Sequence, residues 1–414
     1  LHPILSGAAA AALSIVMFAA LRRRPDRSMG EAGRTAGLVT AVVVVATIAS
    51  LGTGNEAWWN WRAWSWGGAN TGGRNLLIDQ RYGPLNYPDK PLEMLRVKTD
   101  RLTPLRATSL DTFDGASFTA AGKYSTDTLQ VDGSVALNPG ASGVVRNTTV
   151  MFTEITSKWV FAGGTPTRID GLGDRKLRFF DDGSLEADPD LQRGTTITIT
   201  TATPDPGPRK LLDYRDSYPF DLPPLQVEPD GRSVDVPRFG EGTMSVDEFG
   251  RLAPIAELSR RIINGASTQY EAVNRMEGYL RANYRYDTSV PAASSPQDEL
   301  TTFLLTTKTG YCQHFAGAMA LMLRMNGIPA RVAVGVNVPA ASYDKDSKSY
   351  VVTDRDAHSW VEVYFGIEYG WLAFDPTPSR FANGNSASVS STGYVPPTGA
   401  NVPPRLNRTP VKPA

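Results

Sequence analysis

Hydrophobic positions along this chain fall into blocks of different period. Residues 4–21 and 36–52 are apolar runs without a charge, and the second contains Val42-Val43-Val44-Val45. At about 17–18 residues each, they are at the short end of what crosses a bilayer as a helix. Between them lie Arg22, Arg23, Arg24, Arg27 and Arg34, against only Asp26 and Glu31. The positive-inside rule puts this loop in the cytoplasm and the far ends of both helices outside. A signal peptide would carry its charge before the apolar run, not after it. A buried helical hairpin is the competing reading. Trp58, Trp59, Trp61, Trp64 and Trp66 follow where interfacial tryptophans belong. Residues 1–67 are therefore predicted to be two transmembrane helices, with everything after them extracytoplasmic.

From 68 to 203 the pattern turns to short alternating runs cut by Asp114-Gly115, Asp132-Gly133, Asp170-Gly171 and Asp182-Gly183, which are hairpin signals. Candidate strands are Leu92–Lys98, Thr128–Val131, Val144–Thr153, Lys158–Phe161, Lys176–Phe180 and Thr195–Thr201. This stretch is predicted to be a β-sandwich-like domain with a structural or binding role. Residues 204–245, with Pro204, Pro206, Pro208, Pro219, Pro223 and Pro224, read as a linker or draped segment.

Helical spacing resumes at Pro254–Asn264, closed by Gly265, and again from Thr268, where Glu271 stands at capping-box spacing, to about Tyr284. A short helix is expected near Gln297–Leu305. Gly310 then marks a turn, and Phe315, Met319, Met322 and Leu323 recur at helical spacing until Gly327 and Pro329 stop them. Strands are predicted at Val332–Val338, Tyr350–Thr353 and Ala357–Phe365, the last returning through Trp371–Asp375 to Pro376. Residues 246–380 thus form an α+β domain. Residues 381–414 are a Ser/Gly/Asn/Pro-rich tail without hydrophobic periodicity.

Composition narrows the function classes. The 42 basic and 42 acidic side chains cancel, so no global charge draws the chain to nucleic acid. A single cysteine rules out an intrachain disulfide framework. A first residue of Leu rather than Met fits a fragment or a processed product.

That one cysteine, Cys312, falls where the turn becomes a helix. Unpaired N–H groups and the helix dipole favour thiolate there, and thiolate is the nucleophile; a small buried hydrophobe is the competing reading. A nucleophile needs a base, and a base needs an orienting group. His314 lies two positions on, roughly 200° around the helix, so it is expected at the surface or rim. His358 lies on a strand that can pack beside the helix start. Asp375, at the end of the returning strand, is the favoured partner of His358, with Asp354 and Asp356 as rivals. A zinc set of Cys312, His314, His358 and Asp375 meets the same opposite-facing objection, so neither metal nor cofactor is expected. Trp360 could shield the imidazole or serve as plain core.

Three ordered blocks carry a resemblance: Gly310-Tyr311-Cys312-Gln313-His314-Phe315-Ala316 running on to Arg331, then Asp356-Ala357-His358-Ser359-Trp360-Val361-Glu362-Val363, then Gly370-Trp371-Leu372-Ala373-Phe374-Asp375-Pro376. Together they resemble the transglutaminase-like superfamily, and within it the bacterial membrane-anchored TgpA-type transglutaminases. The paired apolar runs, the segment 106–115 and the helix end at Tyr279–Tyr286 are similar to that family too. The resemblance implies a papain-like core, a Cys312–His358–Asp375 triad and acyl transfer from a carboxamide of a protein or peptide substrate at the cell envelope. It also implies Cys312 N–H as an oxyanion donor. Net hydrolysis of the same thioester by a protease or amidase, and a non-catalytic envelope scaffold, are the alternatives.

Overall fold

A computed structural model of the chain describes residues 80–378, apart from 81, 86, 121–123, 132, 138–140, 142, 181, 216–223 and 229–230. The two apolar runs, the tryptophan cluster and the 381–414 tail lie outside the described residues. Among the described residues no helix is long and apolar enough to cross a membrane.

The first half is built of strands: β1 (Glu93–Thr99), β2 (Leu105–Leu110), β3 (Tyr124–Gln130), β4 (Ser134–Ala136) and β5 (Val144–Phe152). They are followed by β6 (Ser157–Trp159), β7 (Thr165–Asp170), β8 (Lys176–Phe180), β9 (Leu185–Leu191) and β10 (Thr196–Thr203). The hairpin signals act as turns: Gly115, Gly133, Gly171 and Gly183 all have positive φ, between 73° and 93°. The second half carries three longer helices, α1 (Ala253–Ile263), α2 (Gln269–Asn283) and α3 (Cys312–Arg324). Five further strands follow: β11 (Ala330–Val336), β12 (Tyr343–Asp344), β13 (Ser349–Thr353), β14 (Ala357–Tyr364) and β15 (Trp371–Phe374).

These strands do not segregate by their place in the chain. A seven-stranded sheet runs β12-β13-β1-β5-β10-β7-β4, a four-stranded sheet runs β3-β8-β9-β6, and another runs β2-β11-β14-β15. Thus β2 leaves the strand-rich half to pair with β11, Leu110 opposite Val332. In exchange β13 pairs with β1, Val352 opposite Leu95. The cores follow the exchange. Leu110, Phe113 and Phe118 bury with the helices, whereas Val336, Val338 and Val352 bury among the strands of the first half. No local periodicity could have announced either swap.

Described parts of the proline-rich stretch pack onto the helical core. Leu211 from a six-residue helical piece (Pro208–Asp213), together with Leu225 and Val227, is buried in the helical core. Thr268 caps α2, its Oγ1 accepting the Glu271 N–H at 3.1 Å. The Glu271 carboxylate, however, takes the N–H of Ser267 at 2.7 Å. Helix α3 packs on β14 and β11 and under α1 and α2, with every residue buried except Gln313. Val361 and Val363 of β14 share its core, whereas Glu362 points away.

On that far side lies a buried charge network joining the two halves. Arg331, directly opposite Glu362 in the sheet, reaches its Oε2 through Nε at 2.8 Å and through Nη2 at 2.7 Å. Arg106 of β2 approaches Glu362 Oε1 at 3.4 Å and Asp182 Oδ2 at 3.8 Å. The Arg331 guanidinium also lies 4.1 Å from the ring centroid of Trp371. Replacing Glu362 by Ala leaves the buried Arg331 guanidinium and the half-buried one of Arg106 with Asp182 as their nearest carboxylate. The expected loss is about 3–5 kcal/mol of unfolding free energy in a urea titration. A loss below about 1 kcal/mol, as for an ordinary surface substitution, would show that the network does not fasten the halves.

Candidate active site

Cys312 is the first residue of α3, and Tyr311 before it is extended, with φ −125°. What holds this junction is His314. The Tyr311 N–H donates to His314 Nδ1 at 3.3 Å, so the ring proton sits on Nε2 and points to Glu299 Oε1 at 3.0 Å. The second Glu299 oxygen accepts the Ala293 N–H at 2.6 Å. The imidazole is 1 % exposed and lies against Tyr82, Phe303 and Tyr311, with ring centroids 4.9, 5.4 and 4.6 Å away. His314 is therefore not at the surface or rim. It does face away from Cys312, but that side of α3 is covered by an irregular helical stretch, Glu299–Thr301 running on into Thr302–Thr307. With both ring nitrogens engaged, His314 does not join Cys312, His358 and Asp375 as a ligand set.

Gly310 is needed for this contact rather than for a turn. It is extended, in a two-residue strand Thr309–Gly310, and a Cβ there would lie 2.8 Å from His314 Cγ and 2.9 Å from its Cβ. The segment before β1 also braces the helix start. Gly83 N–H donates to Tyr311 Oη at 3.1 Å, and Gln80 Nε2 donates to the Gln313 carbonyl at 3.4 Å.

His358 lies near the start of β14 and Asp375 directly after β15. His358 Nε2 meets Asp375 Oδ2 at 2.9 Å, and Asp375 Oδ1 accepts the Thr377 N–H at 2.9 Å. The imidazole is also hydrogen-bonded to Cys312. Since Nε2 is taken by Asp375, the nitrogen left for sulfur is Nδ1. The structure thus brings Cys312, His358 and Asp375 together. Burial opposes charge on His358, but the attraction and hydrogen bond of Asp375, with a smaller contribution from Cys312, outweigh it and push its pKa up to about 10. Burial likewise opposes charge on Asp375, and His358 and Thr377 overcome it, holding the carboxyl below its usual range.

The rival carboxylates are occupied elsewhere. Asp354 Oδ1 accepts the Leu92 N–H at 3.0 Å, and Asp356 Oδ2 accepts the Thr353 N–H at 2.8 Å. Trp360 is both buried and stacked on His358, with centroids 6.3 Å apart and planes at 18°.

Two residues of α2 escaped the sequence reading. Glu277 Oε1 accepts the N–H of Asp375 at 3.0 Å, and Arg281 Nε donates to its C=O at 2.7 Å. Arg281 Nη2 closes the ring on Glu277 Oε1 at 3.4 Å. The main chain of Asp375 is therefore gripped on both polar groups from a helix 98 positions upstream. Burial pushes the Glu277 carboxyl up to about 7; Arg281 opposes the shift and the Asp375 charge adds to it. The one available signal was the Glu277–Arg281 spacing of four, which on its own reads as an ordinary helix-surface ion pair.

Residues 256–376 match the model of the transglutaminase-like superfamily. Over 148 residues the chain is 34 % identical to an uncharacterized protein, YebA, of Bacillus subtilis, covering 33 % of this chain and 20 % of that one. Over 109 residues it is 41 % identical to a protein-glutamine gamma-glutamyltransferase of Pseudomonas aeruginosa, covering 24 % of this chain and 15 % of that one. The chain thus spans a fifth or less of these relatives' lengths. The crystal structure of the periplasmic domain of TgpA from Pseudomonas aeruginosa aligns with 70 % of this chain and 88 % of its own, at 20 % identity and a TM-score of 0.47. The segment 256–376, which holds Cys312, His358 and Asp375, is a transglutaminase-like superfamily domain.

Proposed function

We propose that this chain is a cysteine acyltransferase of transglutaminase type, acting on carboxamide groups of protein or peptide substrates. The observation that carries the reading is the ordered line Cys312–His358–Asp375, in which the carboxylate holds one imidazole nitrogen and leaves the other to sulfur. The thiolate of Cys312 attacks the carboxamide carbon, and the new oxyanion turns toward the Cys312 N–H at the helix start. Imidazolium His358 then protonates the departing nitrogen, the C–N bond breaks, and ammonia leaves a thioester. A primary amine attacks that thioester, His358 takes its proton, and loss of the thiolate yields the new amide. Asp375 keeps the ring in the required tautomer and stabilises its charge. No step calls for a metal or cofactor.

The same proposal places the domain outside the cytoplasm, anchored by the two apolar runs. Its support is the charge pattern around them, with arginines between the runs and tryptophans after the second. Water in place of the amine would make the chain a protease or amidase through the same intermediate. A scaffold role needs no working pair at all.

Thiol alkylation against pH tests the pair directly, because Cys312 is the only thiol. An ordinary cysteine titrates near ~8.5; rapid reaction is expected well below that, lost in His358→Ala. An ordinary curve that His358→Ala leaves unchanged would remove the proposed nucleophile. Mass spectrometry of a glutamine peptide with a primary amine separates the chemistries. Amine incorporation is expected, whereas deamidation alone would make the chain a hydrolase.

Glu277 supplies a third test. Its folded-state pKa lies above the unfolded value, so its stabilising contribution is complete below about 4.5 and is lost as pH rises through about 7. Glu277→Gln should flatten that stability loss, which amounts to about 3 kcal/mol across the window. The glutamine still accepts the Asp375 N–H, so alkylation should stay near wild type. Glu277→Ala should slow acyl transfer by up to about 10²-fold through misplacement of Asp375. Equal rates in both variants would leave the clamp without a positioning role.

A further inference from the structure

Among the described residues no strand pairs with the outer side of β15 in the β2-β11-β14-β15 sheet, and the phase of its hydrogen bonds can be worked out. In the β14–β15 hairpin, Phe365 N–H donates to Gly370 O at 2.8 Å, so that pair is hydrogen-bonded. Bonded and non-bonded pairs alternate along an antiparallel ladder. The pair Tyr364–Trp371 must then be non-bonded, and Tyr364 N–H indeed turns the other way, to Pro329 O at 3.1 Å. Two steps further, Ala373 opposite Glu362 is also non-bonded. Asp375 confirms the phase from the far end, since its N–H and C=O leave the sheet for Glu277 and Arg281. The N–H and C=O of Ala373 therefore point outward, and among the described residues neither has a partner.

Ala373 also lines a cavity of about 630 Å³, within the range of ligand-binding pockets. One wall is β15 with Trp360, Arg331 and Glu362; the other comes from the strand-rich half at Gly163, Gly164 and Arg146. Trp360 has two faces in this argument, since it lines the cavity and stacks on His358. Ile367, an apolar side chain that also lines the cavity, is 85 % exposed.

From this geometry we infer that the cavity is a recognition site for an extended polypeptide, which adds to β15 as an outer strand through the main chain of Ala373. The site deepens the acyltransfer reading and rests on it: the carboxamide substrate is a protein segment in β conformation, not a free amide. A backbone edge is sequence-tolerant, so an added strand is held by its amides, with alternate side chains facing the cavity walls. Asp375 ends the seat, because Glu277 and Arg281 already occupy the edge there.

The test uses the full chain with Cys312→Ala, so that binding is read without turnover, and a fluorescent glutamine peptide as probe. Ala373→Pro removes the outward donor while the proline stays on an edge where no ladder bond to β14 is lost. Peptide affinity should fall about tenfold, the worth of one or two hydrogen bonds. With Cys312 intact, the Ala373→Pro protein should alkylate as wild type does, which separates this site from the nucleophile. Should that variant not fold, the unaltered edge is probed with peptides N-methylated at successive amides, and binding should be lost with a period of two. Equal affinity for wild type and Ala373→Pro, or indifference to every N-methyl position, would overturn the proposal. So would self-association abolished by Ala373→Pro without peptide binding, which would give the edge to a second copy of the chain.

Discussion

A helix start can carry reactive sulfur only if the peptide that begins it does not move, and here that immobility comes from His314. Its ring receives the Tyr311 N–H on one nitrogen and gives a proton to Glu299 on the other, in a pocket that excludes water. A buried pair of this kind contributes little net stability, but it has one geometry in which every group is satisfied. The direction of the first turn of α3 follows from that geometry. Gly310 is small because His314 stands against it, and Gln80, Tyr82 and Gly83 seal the same side. The Cys312 side of the helix is left to meet β14. The backbone that carries Cys312 is thus placed by a histidine on the opposite side of the helix.

A second constraint acts on Asp375. A carboxylate that merely followed a strand end would swing with the chain, but this one is pinned through its own backbone by α2 and through its side chain by Thr377 and His358. The three groups of the site come from α3, β14 and the end of β15. Each is fixed through contacts that reach another element, by way of Glu299 for the start of α3 and of α2 for Asp375, so the site is a property of the packed core and not of a loop.

Much of this was readable in advance, for identifiable reasons. Cys312 and His358 stood out because Cys and His are rare in this chain, and Asp375 because a hairpin brings its two strands together whatever the register. The helices between 253 and 324 were readable because their caps and stops are local. Glu277 was not, because what it binds is a main-chain N–H, which leaves no trace in side-chain identity. His314 was misplaced because helix geometry says which way a side chain points, not what packs there. Strands β2, β7 and β9 went unrecognised: β2 carries Arg106 and Ser109 into a buried network, and β9 contains Asp188 and Pro189, so neither alternates cleanly.

The exchange of β2 and β13 between the two halves bears on how the chain is made. Leu110 must wait for Val332, which is synthesised 222 residues later (332 − 110). At translation rates of 5–20 residues per second, that interval is roughly 10–45 s. Throughout it β2 holds Leu105, Ala107 and Leu110 with neither of its cores complete and no neighbour on the side that β11 will take. Loop closure over such a span is slow, and unpaired strands in the meantime are prone to wrong partners. The nascent protein therefore has a long vulnerable phase built into its topology, and a holding chaperone that shields extended segments would be most useful between the emergence of residue 110 and that of residue 336.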